Sequence, residues 1–81
     1  MAMMIHVKDL AFQGSDAVAA GSTISAMNMD AEAHTVTADD GSFNVVAKPG
    51  ETVPFTAPAK PGTYTYHCAC HSNMHGTLTV K

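Results

Sequence analysis

The stretch Cys68-Ala69-Cys70-His71-Ser72-Asn73-Met74 sets a thiol, an imidazole and a thioether at Cys-x2-His-x2-Met spacing. The alternating run Tyr64-Thr65-Tyr66-His67 leads into it, and Gly76-Thr77-Leu78-Thr79-Val80 leads out. Side chains on a strand point alternately to its two faces. The stretch therefore reads as a tight loop joining two strands, with three metal-capable side chains on one turn. Parity puts Tyr64, Tyr66 and Cys68 on one face and Thr63, Thr65 and His67 on the other, and Leu78 and Val80 continue the apolar face. Cys68 is thus expected to enter from the core side, where apolar groups exclude water. One of the two tyrosines is expected to form a tyrosine corner, its hydroxyl bonding back to the chain near Pro61-Gly62.

Outward from this hairpin, short alternating segments broken by turn residues recur along the whole chain, the pattern of an all-β sandwich. Ile5-His6-Val7-Lys8 is the first strand, and Leu10-Ala11-Phe12 runs into a turn at Gln13-Gly14-Ser15-Asp16. After Val18-Ala19-Ala20 come Thr23-Ile24-Ser25-Ala26-Met27-Asn28, a loop, and a β-branched strand from His34 to Thr37. Asp39-Asp40-Gly41-Ser42 is a turn signal. Phe43-Asn44-Val45-Val46 follows, and then Thr52-Val53-Pro54-Phe55-Thr56, which Pro54 assigns to a sheet edge because proline cannot donate to a ladder. Lys60 is suited to the same edge protection. No stretch carries a capped 3.6-residue apolar period, so little or no helix is expected.

The 81 residues are expected to form one domain, 1–81, without repeat or linker. A chain this size buries only about two thirds of its unfolded surface, so a bound metal would add noticeably to its stability. The net charge of −3, with four lysines and no arginine, makes a nucleic-acid surface improbable. No apolar run reaches the roughly 20 residues of a membrane span. Met1-Ala2-Met3-Met4-Ile5 is too short for a signal-peptide core and carries no charged start. Cys68 and Cys70 lie one residue apart, so a bridge between them would be strained, and no disulfide framework is expected.

Soft thiolate and thioether donors together with imidazole suit copper cycling between Cu(I) and Cu(II). Two histidines, one cysteine and a weak axial methionine define a blue-copper centre. The second histidine must come from elsewhere, and His34 in Glu32-Ala33-His34-Thr35-Val36 is the candidate. The run Asn28-Met29-Asp30-Ala31-Glu32-Ala33-His34 through Gly41 resembles the first-histidine loop of plastocyanin-like cupredoxins. Pro61 to Cys68, continuing to Met74-His75-Gly76-Thr77, is similar to their Cys-His-Met loop, with the short spacing of the amicyanin branch.

That resemblance implies a Greek-key cupredoxin sandwich and a monomer working in the periplasm or outside the cell. It also implies equatorial ligands His34, Cys68 and His71, with Met74 axial, around one copper ion. The ring of His71 would reach the surface as the electron's port, and Met29, Ala69 and Met74 would form the patch on which redox partner proteins dock. Four departures stand out, one of them Ser72 in place of a frequent proline. Ala26 replaces a bulky residue and Cys70 a proline or aliphatic one. Thr35 replaces an asparagine that ties the two ligand loops, a task its hydroxyl and backbone could partly take over.

Duller readings apply to the other candidates. Cys70 reads as a loop thiol, His67 as a solvated residue, His6 and His75 as surface residues, and Met27 and Met29 as core and rim packing. An electron carrier is the first functional reading. A copper storage or delivery module, a zinc site using both cysteines, and a fragment of a copper enzyme such as a nitrite reductase are the alternatives. Multicopper-oxidase wiring needs histidines on both sides of the cysteine, whereas His67 precedes Cys68 but Ala69 follows it. Zinc favours Cys-x2-Cys sets.

Overall fold

The computed structural model of the protein describes residues 3–14 and 17–81. Among them are nine strands and no helix: β1 (Met3–Lys8), β2 (Ala11–Gly14), β3 (Ala17–Val18), β4 (Thr23–Asn28), β5 (His34–Ala38), β6 (Asn44–Ala47), β7 (Thr52–Thr56), β8 (Gly62–Cys68) and β9 (His71–Val80). They form a sheet of order β2-β1-β4-β7 and a second of order β3-β9-β8-β5-β6. The expected all-β sandwich is what forms. Parallel pairs (β1 with β4, β3 with β9) hold early strands beside later ones, and the remaining neighbours are antiparallel.

Alternation decides which face each strand buries. On β4, Ile24, Ala26 and Asn28 are buried while Thr23 is exposed; on β8, Tyr66 and Cys68 are buried while Thr63 and Thr65 face solvent. The inward sets meet as one core containing Ile5, Ile24, Val36, Phe43, Phe55, Tyr66, Leu78 and Val80. Phe43 stacks on Phe55 with ring centroids 5.1 Å apart, joining the layers. Ala26, wholly buried, takes its place in this core as a methyl. A smaller cluster of Val7, Cys68 and Met74, with Phe12 against it, lies at the end that carries the candidate ligands.

Two expectations from the chain order are met in detail. Pro54 lies on β7, which among the described residues has β4 as its only neighbour, so its missing N–H leaves no gap inside a sheet. The tyrosine corner is Tyr64, whose hydroxyl donates to the Lys60 carbonyl at 2.6 Å. The opening of the chain differs. Leu10 belongs to a two-residue turn, Asp9-Leu10, with φ of 54° and 58°, and Ala11 begins β2, which pairs with β1 through Gly14. Such turns favour Asn-Gly because both residues need positive φ, so Asp-Leu gives no local signal. The turn expected at Gln13-Gly14-Ser15-Asp16 lies partly outside the described residues. Phe43 precedes its strand rather than starting it.

Candidate metal centre

The site grows from a failure of two strands to stay paired. β5 and β8 share only the pairs Thr37↔His67 and Ala38↔Tyr66. Beyond them, toward His34 and Cys68, side chains replace the ladder. The Thr35 N–H donates to Cys68 Sγ at 3.4 Å, and the Ala69 N–H donates to Thr35 Oγ1 at 2.7 Å. Thr35 Oγ1 lies 2.9 Å from Thr37 Oγ1, itself 2.8 Å from Asn44 Oδ1. Thr35 therefore ties the two loops by hydroxyl and backbone, as its position implied.

His34, the first residue of β5, has no measurable exposure, and its Nδ1 stands 3.7 Å from Cys68 Sγ. The ring of His71 is tilted against that of His34, with centroids 5.0 Å apart. β9 pairs His75 with His67 and then His71 with Cys68, so Ser72, Asn73 and Met74 are extra residues looped out of the ladder. That bulge returns Met74 to the interior, where it is 2% exposed and packs with Val7 and Cys68. The four candidate ligands thus collect at one end of the sandwich. Among the described residues no three His, Cys, Asp or Glu side chains close around a common point.

Burial of Met74 corrects one expectation. Its side chain cannot contribute to an exposed docking patch, because the bulge folds it inward. Met29 is 51% exposed, and Ala69 is exposed as well. His67, expected to be solvated, is half-exposed and hydrogen-bonded: Asp39 Oδ1 lies 2.5 Å from its Nδ1, while Thr65 donates to Asp39 Oδ2 at 2.6 Å. Cys70 is exposed on the turn.

Electrostatics separate the two thiols. Burial pushes the Cys68 thiol up, but hydrogen bonds led by the Thr35 N–H favour the anion more, and the pKa falls to about 7. Cys70 is raised, first by desolvation and then by the neighbouring Cys68 sulfur. Thiolate is the form that binds metal. A lowered pKa means that ionisation of Cys68 stabilises the metal-free fold fully above the unfolded value of 9.0, and that this contribution is lost as pH falls through about 7. Ultraviolet thiolate absorbance of metal-free Cys70→Ser should accordingly rise with a midpoint near 7. A midpoint at the ordinary thiol value would show that the Thr35 amide is not aimed at the sulfur.

Sequence reading missed two residues. Asn28, 1% exposed, donates from its amide to the carbonyls of Glu32 at 2.7 Å and Ala47 at 2.9 Å, and accepts from the Asp30 N–H at 2.9 Å. Asp30 Oδ2 is 2.9 Å from His34 Nε2. Asn28-x-Asp30, a side chain bonding the backbone two residues on, was the available signal.

Residues 2–80 match the cupredoxin-like domain family, and the chain belongs to it. Among solved structures it is similar to a reduced Cu(I) form, at pH 4, of an amicyanin mutant, with a TM-score of 0.80 and 23% identity over 99% of this chain and 82% of that one. It is also similar to an oxidised amicyanin mutant, with a TM-score of 0.79 and 20% identity over 98% and 81% of the two chains. At these identities the likeness speaks for the fold. No curated protein sequence matches.

Proposed function

We propose that the protein is a small electron carrier holding one copper ion through His34, Cys68 and His71, with Met74 as a weak axial donor. The observation that carries this reading is the convergence of a buried imidazole nitrogen on a sulfur that already accepts a backbone N–H. Two imidazoles, a thiolate and a thioether are a soft donor set that fits copper and fits magnesium or calcium poorly. The solved amicyanin structures, which include Cu(I) forms, support the same choice.

Bound there, copper would supply a one-electron Cu(II)/Cu(I) couple. The chain does the rest. Thr35 favours the anionic sulfur, bringing its pKa down to about 7, and Val7, Phe12 and Met74 keep water from it. His71, half-buried, is the ring through which a redox partner protein makes contact, with exposed Ala69 and Met29 as apolar surface at the same end. We read the chain as one monomeric domain, a carrier rather than an enzyme, working in the periplasm or outside the cell. No helix among the described residues is long and apolar enough to cross a membrane.

The test is a visible spectrum after addition of Cu(II) to the metal-free protein. An intense thiolate-to-copper band toward the red is expected. A colourless complex would overturn the carrier reading in favour of zinc binding or Cu(I) storage.

A further inference from the structure

The carboxylate of Asp30 is where the β1–β2 turn and the loop before β5 meet. Its Oδ1 accepts the Asp9 N–H at 2.7 Å, its Oδ2 accepts the Leu10 N–H at 3.0 Å, and Oδ2 also lies 2.9 Å from His34 Nε2. Asp9 and Leu10 both have left-handed φ. Successive N–H groups in such a turn can point into one concavity, which receives an anion. The side chain of Asp30 is 16% exposed and that of His34 is fully buried. Asp30 is itself fixed, because Asn28 accepts its N–H while bracing the loop against Glu32 and Ala47.

We propose that Asp30 is a positioning residue for the metal centre: its carboxylate locks the His34 ring as the Nε2–H tautomer and ties it to the β1–β2 turn. The geometry leaves one arrangement of protons. Two backbone N–H groups already donate to the carboxylate, one to each oxygen. An ionised carboxylate only accepts, so Nε2 is the donor. The lone pair of a neutral imidazole is then on Nδ1, the atom that faces Cys68 Sγ at 3.7 Å. Metal-binding histidines are commonly oriented in this way by a carboxylate on the far nitrogen, which also makes the ring a stronger donor.

The proposal concerns the same site and rests on His34 being a copper ligand. It adds that a turn some twenty residues away in sequence sets the direction of that ligand, through Asp9 and Leu10. A negative charge one ring away from the metal also favours the more positive Cu(II) state.

The experiment uses the whole protein and Asp30→Asn, which conserves size while removing the charge and one acceptor position. In the metal-free wild type, nitrogen NMR should show His34 protonated at Nε2, with a slowly exchanging proton. In Asp30→Asn that proton should exchange fast and the Nδ1–H tautomer should appear. Copper affinity should fall about 10- to 100-fold, and the reduction potential should rise. A merely structural role would leave tautomer and potential unmoved. Nδ1–H in the metal-free wild type, or unchanged affinity and potential in Asp30→Asn, overturns the proposal. The tautomer is read without metal, so a wild type that takes no copper defeats the carrier reading while the NMR still decides whether Asp30 directs the ring.

Discussion

Cys68→Ser, mixed with Cu(II), is expected to lose the intense red band altogether, whereas Cys70→Ser keeps it. A hydroxyl is a harder and far less acidic donor than a thiol, so serine supplies neither the anion nor the charge-transfer orbital. The two cysteines, one residue apart, differ because the turn Ala69-Cys70 leaves Cys70 exposed while Cys68 is 2% exposed between His34 and Met74. The Thr35 N–H that stabilises a thiolate points at Cys68. Absorption spectra of the two variants, taken with their copper content, decide the matter. Colour surviving in Cys68→Ser and vanishing in Cys70→Ser would reassign the thiolate ligand.

The second large effect is expected two residues beyond Met74, within the same hairpin. Tyr66 on β8 faces Gly76 on β9 across the ladder, and its ring lies flat over the glycine. A methyl group at Gly76 would overlap that ring, with Cε1 only 2.6 Å away. The ring cannot swing aside easily. It is 5% exposed, with Phe12 against it edge-on at 4.9 Å and Phe43 at 6.1 Å. Overpacking of this kind costs about 1–3 kcal/mol and occasionally more, and the upper end applies because the whole aromatic cluster must shift. Gly76→Ala should therefore lower the thermal midpoint of metal-free protein by roughly 10 °C or more, at 4–8 °C per kcal/mol for a domain of this size. A midpoint within a degree or two of wild type would show that the cluster has slack.

The hairpin explains why so much was legible in advance. A parity of two, started at Tyr64, assigns Cys68 to the core face and Thr65 to solvent without knowledge of any other strand. Pro54 announces an edge by what it lacks, and a local Pro-Gly turn announces a corner by one of the two tyrosines, which the structure assigns to Tyr64. The unreadable parts have long-range causes. Asp9-Leu10 adopts a left-handed turn that neither residue favours, because Asp30 captures both amides. The inward return of Met74 depends on a three-residue bulge, and the Cys-x2-His-x2-Met spacing gives its components but not the direction of each. Thr35 sat in the reading as a substitute for asparagine. Only the geometry shows that its amide serves the sulfur and its hydroxyl serves Ala69.

The early parting of β5 and β8 has a consequence for how this end of the molecule tolerates change. A ladder asks little of its side chains, since any residue with an N–H and a C=O can extend it. Past Thr37 and His67 that generosity ends, and the amides of Thr35 and Ala69 depend on a sulfur and a hydroxyl that particular residues must provide. Zipping the two strands further would satisfy the same amides with no sulfur at all. The sheet and the binding site are rivals for one set of donors. Stripped of Cys68 and of the Thr35 hydroxyl, this corner has every reason to become ordinary sheet.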